Sequence, residues 1–455
     1  MLFFNLIVYS KTLAKNTQNM GANQKKIGLI TTTSLVVGNM IGAGIFLLPA
    51  SLAEFGSISL FGWLFTATGA IVLAKIFSNL SKIIVNKSGG PYTYSKEGFG
   101  DFIGFLVAWG YWISCWISNA AIAIAIIGAF SFFFPVLATN SILAVSLGLS
   151  MIWFFTWINS KGVKTSGKIQ VVTTVLKLLP LVFIILIGAF FFSLDNFPSF
   201  NLTGESNFAT FPVVAALTLY AFLGIESASI PAENVENPEK NVAKATMLGT
   251  IITTCIYIFG TVVLFGILPT DILQNSAAPF AEAGKIIGGK YAGYFVAAGA
   301  AISGIGALNG WILVVSQIPM AAAKDKMFPR VFKKENKNGA PILGLIIGSL
   351  LSSMVMLMNF TEGLVAQFTF IVNLSVLTCL VPYLFVSAAY IIILIERKMY
   401  MNSVTKTFVL GLLGFLYAVW AIYGSGAEVV FYGFLLLLLG IPLYALMQWN
   451  KTNKA

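Results

Sequence analysis

The chain has 455 residues, 58% of them hydrophobic and only 9% charged, with a mean hydropathy of +0.89 and a net charge of +11. Soluble domains carry about 25% charged residues, so the composition excludes one and indicates an all-α polytopic membrane protein. The chain contains no histidine, which excludes imidazole catalysis and most zinc or copper sites, and no cofactor or metal is expected.

Residues 1–26 read as a cytoplasmic tail. Its first ten residues are apolar, but lysine follows them and no small-residue cleavage site is present, so a signal peptide is not expected. Met20 opens a more ordinary cytoplasmic start, and residues 1–19 are expected to be dispensable. A single transmembrane domain then fills 27–450, and 451–455 form a second tail. Membrane helices need about 20 apolar residues. Twelve are expected, at 27–50, 58–82, 99–134, 139–158, 168–192, 208–231, 242–268, 290–322, 340–358, 363–395, 406–423 and 428–449. The third, eighth and tenth are long enough to tilt or to extend beyond the bilayer.

The first span is interrupted at Gly42-Ala43-Gly44, and the sixth at Tyr220 to Ser229, around Gly224-Ile225-Glu226. Lipid leaves no unpaired backbone, so an unwound stretch survives only inside protein or beside a cavity. Breaks at matching places in two halves point to a transporter's substrate site. Five spans per unit invert the second unit relative to the first, leaving spans eleven and twelve as additions. The helix N-terminus after such a break suits a carboxylate, and unwound carbonyls suit an ammonium. An α-amino acid offers both groups.

Of the 27 lysines and arginines, 23 fall in loops on one side of these spans and only Lys285 and Lys290 on the other. By the positive-inside rule both termini are cytoplasmic. The basic excess thus follows the membrane, and nucleic acid is not expected as a partner. Cys115, Cys255 and Cys379 lie far apart in apolar stretches and read as reduced packing residues.

Glu226 is the one carboxylate expected inside the membrane. Ionisable residues there are costly and functional by default, so Glu226 is expected to titrate during the cycle, reporting pH or gating the site. Lys177 lies about nine residues into the fifth span, too deep for easy snorkelling. Its ammonium is expected where a coupling cation sits in sodium-driven carriers of this architecture. Trp311, in the eighth span, and Tyr220, at the sixth-span break, are candidates to bind a cation through their ring faces. An integral-membrane enzyme is disfavoured, because no paired carboxylates or metal-ligand spacing occur within the spans.

Several stretches together resemble the amino acid–polyamine–organocation transporters. They are the first break with Leu47-Leu48-Pro49-Ala50, the Phe222–Ser227 stretch, Glu236-Asn237-Pro238, Trp153–Asn159 and Val381-Pro382-Tyr383. Within that superfamily the nearest resemblance is to the basic amino acid/polyamine antiporters, the arginine/agmatine exchangers in particular. It covers nearly all of residues 24–450. It implies two inverted five-helix repeats with discontinuous helices 1 and 6, followed by helices 11 and 12, usually as a homodimer in the bacterial inner membrane. It implies carboxylate binding at Ala43 and Gly44, and amino-group binding at carbonyls near Met40 and Ile225. Ser114, Cys115, Asn119 and Ser375 match positions that contact the substrate side chain, and Trp311 matches the aromatic that stacks on a guanidinium. Tyr111, Glu226 and Tyr383 match gating positions. The expected activity is exchange of arginine, ornithine or lysine for an amine such as agmatine, putrescine or cadaverine; the alternative is a neutral amino acid permease. Three positions depart from the arginine/agmatine pattern: Ala43 replaces a usual Ser, Tyr220 a usual Trp, and Ser114 a usual Ala. Lys177 resembles the span-five lysine of proton-coupled relatives.

Overall fold

Leu29–Met40 (α1) and Gly44–Ala53 (α2) are the two halves of the first span, bent by 42° where they meet. α1 stops because Ile41 leaves helical geometry (φ −80°, ψ 80°), and the Gly42 N–H turns back to the Met40 carbonyl at 2.9 Å. The computed structural model describes residues 27–42, 44–84, 89–161, 167–229, 232, 235–358, 363–397 and 404–452. The expected cytoplasmic tails and Ala43 therefore lie outside the described residues, apart from the last turn of the final helix.

The remaining helices follow the expected spans: α3 Ile58–Ile83, α4 Pro91–Phe99, α5 Asp101–Ser131, α6 Ser141–Ser160, α7 Gly167–Gly188, α8 Asn207–Leu219, α9 Pro238–Ile267, α10 Pro279–Lys324, α11 Ile342–Leu357, α12 Leu364–Glu396, α13 Val404–Gly424, α14 Ala427–Leu438 and α15 Gly440–Thr452. Among the described residues there is no strand, only one parallel bridge between Ile27 and Val235. Among the described residues ten helices are long and apolar enough to span a bilayer, or eleven with the bent pair. The expected ninth span is α11, whose 16 residues reach about 24 Å at 1.5 Å per residue, short of the ~30 Å hydrocarbon core. The count of twelve therefore rests on sequence and not on helix length.

α10 is two helices joined at Gly288 and Gly289, where Gly289 takes φ 72°. The expected start of the eighth span at 290 falls on that joint. α5, with 31 residues, is almost wholly buried and packs against α10, α11 and α12. α1 packs on α7 and α9, and α3 on α8 and α9. α6, α13 and the α14–α15 pair are mostly uncovered and present large side chains outward, among them Ile142, Phe154 and Leu439. An apolar surface of this extent needs lipid against it.

The sixth span is helical to Leu219, then continues as two 3₁₀ turns, Tyr220–Phe222 and Ile225–Ala228, around Gly224 at φ 107°. A side chain at Gly224 would be strained at that φ and would stand 3.3 Å from the Asn39 carbonyl carbon. The glycine thus serves both the turn and the close approach of the two breaks.

Candidate functional site

The two breaks meet at a cavity of about 30 Å³, room for a water or two. It is lined by Met40 and Gly44 from the first break, Tyr111, Ser114 and Cys115 from α5, Tyr220 and Glu226 from the second break, and Trp311 from α10. Eight of the residues singled out in sequence therefore share one space. Ile225, Ser375, Tyr383, Asn119 and Lys177 are buried but stand outside the cavity wall, and Ala43 is not described. Three wall residues, Asn39, Ser118 and Cys379, escaped the sequence reading. Cys115 and Cys379 are thus cavity thiols, and Cys255 is exposed; none of the three is simple core packing.

Among the described residues, Glu226 and Lys177 are the only buried charged side chains, at 1% and 5% exposure. Each is held by specific partners. The Tyr111 hydroxyl donates to Glu226 Oε1 at 2.5 Å, and the Tyr383 hydroxyl donates to Oε2 at 2.7 Å. Both carboxylate oxygens are therefore engaged, joining α5, the second break and α12. The Lys177 ammonium donates to the carbonyls of Gly38 at 2.6 Å and Ile41 at 3.0 Å. These are carbonyls that the end of α1 leaves without helical partners, so a fixed cation caps the break.

Tyr257 of α9 performs a related task that sequence reasoning missed. Its hydroxyl lies 2.8 Å from the Met40 carbonyl and 2.9 Å from the Ala221 carbonyl, one in each break. A phenol has one hydrogen, so it serves one carbonyl at a time. The expected amino-group contact at Met40 is thus already occupied in this conformer, by the Gly42 N–H and Tyr257. Nothing in the sequence singled Tyr257 out, since the seventh span also carries Thr246, Thr250, Thr253, Thr254 and Thr261.

Serines join α5 to α12 beside the cavity. Ser375 Oγ lies 2.6 Å from Ser118 Oγ and 3.2 Å from Ser114 Oγ. Asn119, wholly buried, has no hydrogen-bond partner for either side-chain polar atom. A buried amide left unsatisfied is costly, and a small rotation of α5 or an incoming polar group relieves it.

Aromatic side chains pack on two sides of the cavity. On the lysine-rich side lies the Tyr111–Glu226–Tyr383 layer. On the other side Tyr220 packs edge-on against Phe368 with ring centroids 5.9 Å apart. A Cβ at Gly44 would stand 2.6 Å from the Tyr220 ring, so only glycine admits that lid. The arrangement is a small, mainly apolar chamber between two discontinuous helices, with a few polar groups in its wall.

The amino acid permease family model matches residues 27–454. The chain belongs to this family. Permease relatives cover nearly its whole length. The putrescine transporter PotE of Haemophilus influenzae is 34% identical over 438 residues, covering 96% of this chain and 100% of its own. The arginine/agmatine antiporter of Chlamydia abortus is 33% identical, covering 94% of this chain and 90% of its own. The arginine/ornithine antiporter of Pseudomonas aeruginosa is 32% identical, covering 93% and 91%. This permease is a multi-pass membrane protein.

Proposed function

We propose that the chain exchanges a cationic amino acid for an amine, such as its decarboxylation product, across a bacterial inner membrane with both termini cytoplasmic. The observation that carries this reading is the cavity wall. Two aromatic residues, Tyr220 and Trp311, line a chamber whose only carboxylate among the described residues, Glu226, has both oxygens occupied by tyrosine hydroxyls. A substrate's distal positive charge is then held mainly by ring faces, at about 0.5–2 kcal/mol each, tightly enough to bind and loosely enough to leave. The substrate names of the relatives, putrescine, agmatine, arginine and ornithine, agree with that chemistry.

In this reading the α-carboxylate sits at the start of α2, at Ala43 and Gly44. The α-ammonium displaces Tyr257 from the Met40 carbonyl or docks near Ile225. Ser114, Cys115, Asn119 and Ser375 contact the side chain or its second layer. Lys177 supplies the fixed charge that a coupling cation supplies elsewhere. The protein rocks between facing one side and the other around the chamber, as a homodimer, with no catalytic role.

The test is a counter-substrate panel. Proteoliposomes preloaded with agmatine, putrescine, ornithine or lysine are expected to take up labelled cationic amino acid, and unloaded vesicles to take up little. Equal uptake of neutral amino acids into unloaded vesicles would overturn exchange and assign a neutral permease.

A further inference from the structure

The loop between α10 and α11 carries Lys324, Lys326, Arg330, Lys333, Lys334 and Lys337 against two acidic residues, Asp325 and Glu335. Both acids are engaged: Asp325 accepts from the Tyr92 hydroxyl at 3.1 Å, and Glu335 pairs with Lys324 at 3.4 Å. Lys326, Arg330, Lys334 and Lys337 are exposed and have no ion pair among the described residues. Between them Val331 stands 48% exposed. An exposed aliphatic side chain in one short loop with four exposed cations that have no ion pair among the described residues suits a surface that is apolar within and anionic at its face.

Lys326 gives a second, independent indication. α10 ends in a Schellman turn, in which the Met327 N–H reaches the Ala322 carbonyl at 2.8 Å and the Lys326 N–H reaches that of Ala323 at 3.1 Å. The residue at the turn's centre must be left-handed, and glycine is the usual choice. Here it is Lys326, at φ 64°, one of two non-glycine residues with positive φ among those described. A lysine at a glycine position carries backbone strain and places an exposed cation at the helix end.

The loop is also fixed to the gate helix. Phe328 lies buried with its ring 5.7 Å from Phe105, 6.0 Å from Trp109 and 6.1 Å from Trp112, and Phe332 lies 6.1 Å from Trp112. Trp112 follows Tyr111, which closes the chamber on Glu226.

We propose that this loop is a docking surface for anionic phospholipid headgroups of the inner leaflet, held by Lys326, Arg330 and Lys334, and that it steadies the base of α5 beneath the gate. This rests on the reading of the lysine-rich face as cytoplasmic. Clustered basic residues beside a membrane helix bind anionic headgroups at roughly fivefold in affinity per charge.

The test scores lipid binding without transport, so failure of the exchange reading leaves it interpretable. Purified full-length protein is titrated with phosphatidylglycerol or phosphatidylcholine, and retained lipid is counted by native mass spectrometry. The variant Lys326→Gln/Arg330→Gln/Lys334→Gln is compared with Lys82→Gln/Lys240→Gln/Lys244→Gln, which removes as many exposed charges elsewhere on the same face. The expected result is a loss of roughly tenfold or more in phosphatidylglycerol affinity in the loop variant only, with phosphatidylcholine unaffected. Equal loss in both variants would show a generic basic face and overturn the proposal, as would no loss in either. Displacement of the lipid by excess inorganic phosphate would assign a free-anion site instead and also overturn it. Both variants elute as folded protein in size exclusion, or the single substitution Lys326→Gly, which relaxes the turn, replaces the triple one, with a loss of roughly fivefold expected and no loss overturning the proposal.

Discussion

Trp311 and Tyr220 belong to different spans yet share one chamber, which makes the ring faces a measurable quantity. Trp311→Leu is expected to weaken binding of a cationic amino acid by about three- to thirty-fold, the equivalent of one cation–π contact. A neutral amino acid of similar length loses less. Calorimetry on purified protein compares the two, and equal losses would reduce Trp311 to packing. Glu226 accepts from two tyrosines, bonds worth about 1.5–3 kcal/mol each when the acceptor is ionised and about 0.5–1.5 kcal/mol when neutral. Glu226→Gln keeps the shape and removes the titration, so the pH dependence of exchange in proteoliposomes is expected to flatten. An unchanged profile would place proton sensing elsewhere. Glu226 and Lys177 could be read in the sequence because an ionisable group in lipid needs a reason to be there. Tyr257 and Ser118 could not. A hydroxyl in an apolar helix costs little when it faces protein, and the Met40 partner of Tyr257 lies 217 residues away.

At the scale of elements, the breaks were legible because glycine clusters interrupt otherwise unbroken apolar runs. Which carbonyls those breaks expose was not legible, since that depends on what α7 and α9 bring against them. α7 brings Lys177, which reaches two carbonyls of the first break and so acts as part of the helix rather than as a side chain beside it. Lys177→Ala leaves both carbonyls buried without a donor, at about 1–3 kcal/mol each. We expect loss of exchange by at least about tenfold, since that penalty falls on the first break, with unchanged size-exclusion behaviour and circular dichroism. Near-normal exchange would rule out the cation-like role. Span limits followed hydropathy well where the helix was long. The limits expected for the ninth span, 340–358, also fall within two residues of α11.

For the whole molecule, the asymmetry of lysine placement is the strongest single datum in the sequence, since by the positive-inside rule it gives an expected side for every loop at once. The exposed residues Tyr291 and Lys337 lie on opposite faces by that reading. A membrane-impermeant maleimide is expected to label Tyr291→Cys in intact cells, and Lys337→Cys only after permeabilisation. The reverse pattern would invert the protein.

That sidedness gives the bridge between Ile27 and Val235 a meaning beyond geometry. The Glu236 N–H meets the Ile27 carbonyl at 3.0 Å, so the foot of α1 is stitched to the chain leaving the second break, on the same face as the Tyr111–Glu226–Tyr383 layer but farther out. In the proposed transport reading and orientation, two closures stand in series between chamber and cytoplasm, and resistances in series add. Loosening the inner one alone changes how fast the carrier turns over while the outer one still blocks bulk flow. Vesicles bearing Glu226→Gln are accordingly expected to show altered exchange with no rise in passive proton leak over wild type, measured with a pH-sensitive dye. A variant that conducted freely would mean that the stitch at Ile27 yields whenever the carboxylate lets go.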